Sequence, residues 1–160
     1  MQTITPFLCF KGHAEEAMNF YTSVFRNSRP GTILRYGDAG PGPKGAVMGV
    51  EFQLNGQDFM ALNGGPEPGF TPAISFMIVC ETQDEIDELW SKLSEGGTPN
   101  VCGWLTDRFG VTWQVTPRVL LEMMRDPDEA KSQRVMRAMM TMAKLDIAEL
   151  RRAYEEGADA

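Results

Sequence analysis

The sequence is short of the residues that most often mark metal and redox chemistry. It has one histidine, His13, and three cysteines, Cys9, Cys80 and Cys102, spread along 160 residues. No two cysteines form a C-x-x-C pair, so a zinc knuckle or disulfide framework lacks its pattern, and a reducing, cytoplasmic setting is expected. Basic charge is scarce as well: 15 Lys and Arg stand against 22 Asp and Glu, a net charge of −7. Such a surface repels phosphate backbones and anionic lipid, which argues against nucleic acid or membrane as a partner. No apolar run approaches the roughly 18 residues of a membrane helix. Met1-Gln2-Thr3-Ile4-Thr5-Pro6 has neither the basic nor the apolar region of a signal peptide.

What is present is enough apolar material, 42% of residues, for one domain or for two small modules sharing a core. The stretch 102–117, CGWLTDRFGVTWQVTP, reads as a β-hairpin turned by Asp107-Arg108-Phe109-Gly110. Asp suits the first corner of a type I turn, and Gly110 can take the left-handed conformation that closes such a loop with a bulge. Cys102, Trp104, Trp113 and Gln114 lie around that turn. If several of them face one hollow, they suit an organic molecule better than a phosphate or a metal. Trp104 and Trp113 stack if the loop holds four residues, or face opposite sides if a bulge shifts the pairing.

Residues 46–63 form a second predicted hairpin, around the type I′ pair Asn55-Gly56. Counting outward pairs Gln53 with Asp58, Phe52 with Phe59, Glu51 with Met60 and Val50 with Ala61. Residues 3–10 and 32–36 read as strands, with a helix between them on Ala14, Ala17, Met18, Tyr21 and Phe25, stopped by Arg29-Pro30-Gly31. His13 sits at its start, where a solvent-facing cap position is the simplest role.

After a linker at 63–72 the pattern restarts. A strand at 73–80 leads to a helix capped by Thr82 and Glu85, with Ile86, Leu89, Trp90 and Leu93 on its apolar face, and then a short edge strand near Thr98 precedes the hairpin. From Arg118 onward the chain reads as helical, with starts at Asp126-Pro127-Asp128-Glu129 and at Asp146. Met136, Met139, Met140 and Ala143 form a stripe best read as packing. The literal pattern Gly40-x-Gly42-x-x-Gly45 is followed by a strand rather than a helix, which removes the context of a nucleotide or S-adenosylmethionine site.

The duplicated strand–helix–strand–hairpin plan resembles the vicinal oxygen chelate superfamily, which includes glyoxalase I, extradiol dioxygenases and bleomycin-resistance proteins. TPFLCFKGHAEEAMNFYTSVF, ALNGGP, CGWLTDRFGVTWQVTP and DPDEAKSQRVMRAMM look like its PhnB-like branch, often labelled 3-demethylubiquinone-9 3-methyltransferase. The resemblance implies an α+β fold in which two βαβββ modules form a curved mixed sheet around a cavity, with C-terminal helices and a homodimer. The expected sections are 1–66, 67–117 and 118–160. Metal ligands in catalytic members fall at strand positions that lie here near Thr5, Asn63, Ser75 and Gln114. None is His, Asp or Glu, so no metal and no cofactor is expected.

The candidate ligand contacts are therefore Phe7, Cys9, Met60, Asn63, Cys102, Trp104, Trp113 and Gln114, lining a cavity between the modules. Cys102 is the best candidate for a nucleophile, against the alternative of a buried inert thiol. Asn63 and Gln114 each either hold backbone or read a ligand's polar edge. Glu51, the one acid inside a strand pattern, reads as an edge or surface carboxylate. The expected function is binding of a small organic molecule. The alternatives are an enzyme of the superfamily, whether a metal-dependent lyase, isomerase or dioxygenase or the labelled methyltransferase, and a dimeric interaction protein with a filled cavity.

Overall fold

A computed structural model describes residues 1–65 and 69–156; residues 66–68 of the predicted linker lie outside the described residues. The chain divides into two compact units, Met1–Phe70 and Thr71–Ala160.

The first unit runs β1 (Phe7–Phe10), α1 (Ala14–Val24), β2 (Arg29–Arg35), β3 (Val47–Leu54) and β4 (Gln57–Asn63). Its sheet has the order β1-β4-β3-β2, with β1 parallel to β4 and the other pairs antiparallel. The β3–β4 register is the one predicted, and Asn55 (φ 48°) and Gly56 (φ 81°) both take the positive φ of a type I′ turn. Alternation sends Val50, Phe52, Phe59 and Ala61 to the buried face with Ala17, Met18 and Tyr21 of α1. Tyr21 stacks on Phe52, and Phe52 on Phe59 at 5.5 Å between ring centroids.

Arg29-Pro30-Gly31 does not end α1, which stops at Val24, but opens β2. β2 is the sheet's edge strand, where a missing N–H costs no ladder bond. Gly31 is needed because a Cβ there would lie 2.6 Å from the Glu51 carbonyl oxygen.

The second unit runs β5 (Phe76–Cys80), α2 (Gln83–Ser94), β6 (Thr98–Pro99), β7 (Trp104–Thr106), β8 (Thr112–Pro117), α3 (Arg118–Met123), α4 (Glu129–Met140) and α5 (Ile147–Glu155). Its sheet has the order β5-β8-β7-β6, again with one parallel pair, β5 with β8. The fold is thus mixed α+β, with a βαβββ arrangement in each unit and C-terminal helices in the second. At α2, Thr82 Oγ1 accepts from the Glu85 N–H, while Glu85 Oε2 reaches back to the Glu81 N–H.

The C-terminal helices have a core of Leu120, Met123, Val135, Leu145 and Leu150, with Met139 and Met142 packed against it. The cap of α4 is Asp128, two residues later than predicted: its Oδ1 accepts from the Ala130 and Lys131 N–H groups. Asp126 instead accepts from the Asp128 N–H, an Asx turn ahead of the helix. Arg134 closes α5 by donating to the Ala153 and Tyr154 carbonyls.

Candidate functional site

In the second unit, β7 and β8 pair Trp104 with Gln114 and Leu105 with Trp113. Side chains alternate across a sheet, so Trp104 and Gln114 share the face away from α2, while Trp113 goes inside. The loop between Thr106 and Thr112 decides this. Asp107 Oδ1 accepts from the Phe109 and Val111 N–H groups, and Gly110 takes φ 91°, adding one residue to the four-residue count. The two tryptophans therefore lie on opposite faces. Trp113 is 3% exposed, with its ring 5.4 Å from that of Phe76.

Gln114 Nε2 donates to Ser75 Oγ at 2.8 Å. Among the described residues no donor reaches its Oε1, which leaves one acceptor beside the half-buried indole of Trp104. Trp104 also lines an open hollow of about 580 Å³ with Pro99, Asn100, Val101, Cys102 and Ala143. Cys102 holds a left-handed conformation, φ 60°, and its N–H donates to the Met142 carbonyl at 2.8 Å.

In the first unit, the face away from α1 sets Phe7 beside Met60 and Cys9 beside Leu62. Gly65 passes so close to Cys9 that a Cβ there would lie 2.7 Å from Cys9 Cβ. Thr5, Arg29, Glu51 and Met60 line a second hollow of about 370 Å³ on this unit. Asn63 has the parity of the buried Phe59 and Ala61, and its amide is engaged at both ends. Oδ1 accepts from the Ala14 N–H at 2.8 Å, and Nδ2 donates to the Val47 carbonyl at 3.2 Å. It caps α1 from 49 residues away, where His13, at the cap position, makes no side-chain cap and instead lies 3.1 Å from Glu16.

The structure thus brings together Cys102, Trp104 and Gln114 in one unit and Phe7, Cys9 and Met60 in the other. It turns Trp113 and Asn63 to the helix-covered faces. Two residues were missed. Ala143 falls in the 136–143 packing stripe, and no local signal points to its place beside Trp104. The role of Asp107 beneath Trp113 could have been read from its place at the turn.

The side chains do not suit a divalent cation. Among the described residues no three or more His, Cys, Asp or Glu side chains gather into a metal-binding group. Ser75 and Gln114 bond to each other and Asn63 to backbone, and these neutral donors bring no charge to offset dehydration of an ion. The Gly40–Gly45 loop has a local explanation too. A Cβ at Gly42 would lie 2.2 Å from the ring of Tyr36, so the glycine makes room for that ring.

Two βαβββ units of this kind define a protein of the vicinal oxygen chelate fold. Residues 2–116 match the family model described as 3-demethylubiquinone-9 3-methyltransferase, and the chain belongs to that family, the PhnB-like branch. It is 44% identical to a 3-demethylubiquinone-9 3-methyltransferase-like PhnB protein from Bacillus cereus, over 72% of this chain and 99% of that one, with a TM-score of 0.67. The fold is shared with protein PA1353 from Pseudomonas aeruginosa, at 24% identity over 73% and 98% of the chains and a TM-score of 0.63. It is shared also with FosX, a fosfomycin resistance protein from Listeria monocytogenes crystallised with Mn(II) and sulfate, at 13% identity over 70% and 88% and a TM-score of 0.52. Among curated proteins none matches the chain.

Proposed function

We propose that this protein binds a small, flat, uncharged organic molecule on the sheet face left open by α2 in the second unit, without a His/Glu metal site. The observation that carries this reading is the cross-strand pair Trp104–Gln114: an indole surface with a free amide oxygen beside it. A flat ring stacked on Trp104 and donating one hydrogen bond to Gln114 Oε1 satisfies both groups. Cys102 lines the hollow beside Trp104, while Phe7, Cys9 and Met60 form a separate apolar face on the first unit. Asn63 and Trp113 support these faces from behind. A cytoplasmic homodimer belongs to this reading, supported by the three free cysteines and by the exposed apolar Ile74 and Met140.

A native mass spectrum of the purified protein tests it by reporting subunit count and any retained molecule together. Thermal shifts with a panel of flat neutral compounds, without added cation, should show stabilisation that Trp104→Ala or Gln114→Ala reduces. No retained molecule and no shift would remove the reading. The family's description supports a second one, methyl transfer, and S-adenosylmethionine is tested separately alongside that panel. Stabilisation by that compound alone would favour transfer over binding.

A further inference from the structure

The hollow beside Trp104 has a wall that lies beyond the stretch matched by the family model. The match runs over residues 2–116, and Ala143 comes from the connection between α4 and α5. That connection is fastened to the sheet and to α2 at several points. The Cys102 N–H donates to the Met142 carbonyl and the Gly103 N–H to the Ala143 carbonyl, both at 2.8 Å. Gln83 of α2 donates to the Leu145 carbonyl and accepts from the Ile147 N–H, at 3.1 and 2.9 Å. Lys144 pairs with Asp87 at 2.7 Å. Leu145 is fully buried against Gly103, where a Cβ would meet its Cδ1 at 2.9 Å.

These contacts have a consequence for the site. Cys102 is not a glycine yet sits at φ 60°, a conformation that persists only where surrounding structure imposes it. The carbonyl of Met142 meets its N–H on one side, and the next residue, Gly103, is held between the Ala143 carbonyl and the Val115 N–H. The backbone leading into Trp104 is thus set by the C-terminal segment. The side chains around the hollow, from Pro99, Asn100, Val101, Cys102, Trp104 and Ala143, carry no charge.

We propose that the α4–α5 connection is a specificity-determining part of the binding site. The Met142 and Ala143 carbonyls position Cys102 and Trp104, and the small Ala143 side chain sets how large an uncharged ring fits beside the indole. This rests on the binding reading above and adds to it a residue outside the stretch matched by the family model.

The test uses Nile red, a flat neutral fluorophore, titrated into the full-length protein and into Trp104→Ala, Ala143→Val and Ala143→Leu. Wild type binds, Trp104→Ala weakens binding, and the Ala143 series weakens it in order of side-chain size, to about tenfold for Leu. Circular dichroism melts accompany each titration, and if Ala143→Leu does not fold, Ala143→Val carries the comparison. Failure of wild type to bind, or indifference to Trp104→Ala, overturns the binding reading itself. Binding that responds to Trp104→Ala but ignores both Ala143 substitutions overturns this proposal alone.

Discussion

Inside the second unit the Trp113 indole N–H donates to Asp107 Oδ2 at 2.8 Å, and both side chains are 3% exposed. The other carboxylate oxygen holds the turn, accepting from the Phe109 and Val111 N–H groups at 2.8 and 3.0 Å. One buried acid therefore fixes the loop shape and the inward Trp together. The loop shape in turn sends Trp104 to the opposite face.

Asp107→Asn tests this coupling. The amide keeps one acceptor oxygen for the turn but presents N–H groups to the indole N–H, leaving buried donors unpaired. The expected loss is about 1–3 kcal/mol, read as a lower urea midpoint at unchanged m-value. A midpoint equal to wild type would show that the bond contributes nothing.

Asn63 offers a second test, because it separates the cap that functions from the one the sequence suggests. Asn63→Ala removes the acceptor for the Ala14 N–H and should cost about 1–2 kcal/mol. His13→Ala, at an exposed position whose side chain makes no cap bond, should stay within about 0.5 kcal/mol. Equal losses in urea melts would place the cap at His13 after all.

Asn63, Pro30 and Trp104 also show how far the sequence could be read. The 46–63 hairpin was legible in full, because Asn55-Gly56 fixes the turn and the turn fixes every pair beyond it. The strand β2 was legible but its start was not, because Pro30-Gly31 is a local stop signal, while the edge position that tolerates it is a property of the whole sheet. The facing of Trp104 and Trp113 rested on one extra loop residue, and both counts were compatible with the same letters. Asn63 shares the parity of Phe59 and Ala61, so its inward direction was readable, but its partner at Ala14 was not. The wall at Ala143 is a contact across about forty residues, and no periodicity encodes it.

The three cysteines should differ in reactivity. Cys80 is buried, and burial, then Glu85 and Glu81, push its thiol up to about 11 from 9.0. Cys9 and Cys102 are only half-buried. At pH 8 iodoacetamide should modify Cys9 and Cys102 in the native protein and reach Cys80 only after unfolding, as peptide mass mapping would show. The raised value also has a sign for stability. The neutral thiol is the form that folding favours, so its contribution is whole below pH 9 and is lost as pH rises through about 11. Fast native labelling of Cys80 would contradict its burial.

The Tyr154 hydroxyl donates to Asp126 Oδ2, and Lys131 lies over the Tyr154 ring at 5.0 Å. The Tyr154 bond, helped by the Asp128 N–H, holds the Asp126 carboxyl below the usual carboxylate range, and Asp126 in turn raises Tyr154 above the usual phenol value. For the acid, the stabilisation is present above its unfolded value and lost as pH falls through the lowered one. For the phenol, it is present below the unfolded value and lost as pH rises through the raised one. Tyr154→Phe keeps the ring under Lys131 and removes only the hydroxyl. Hydrogen exchange of α5 should therefore be faster in Tyr154→Phe than in wild type by a constant factor between about pH 5 and pH 9, once the intrinsic pH dependence is divided out. The factor should shrink toward one at either extreme. A ratio of one throughout that window would mean that Arg134 and Leu150 dock the helix without help from the hydroxyl.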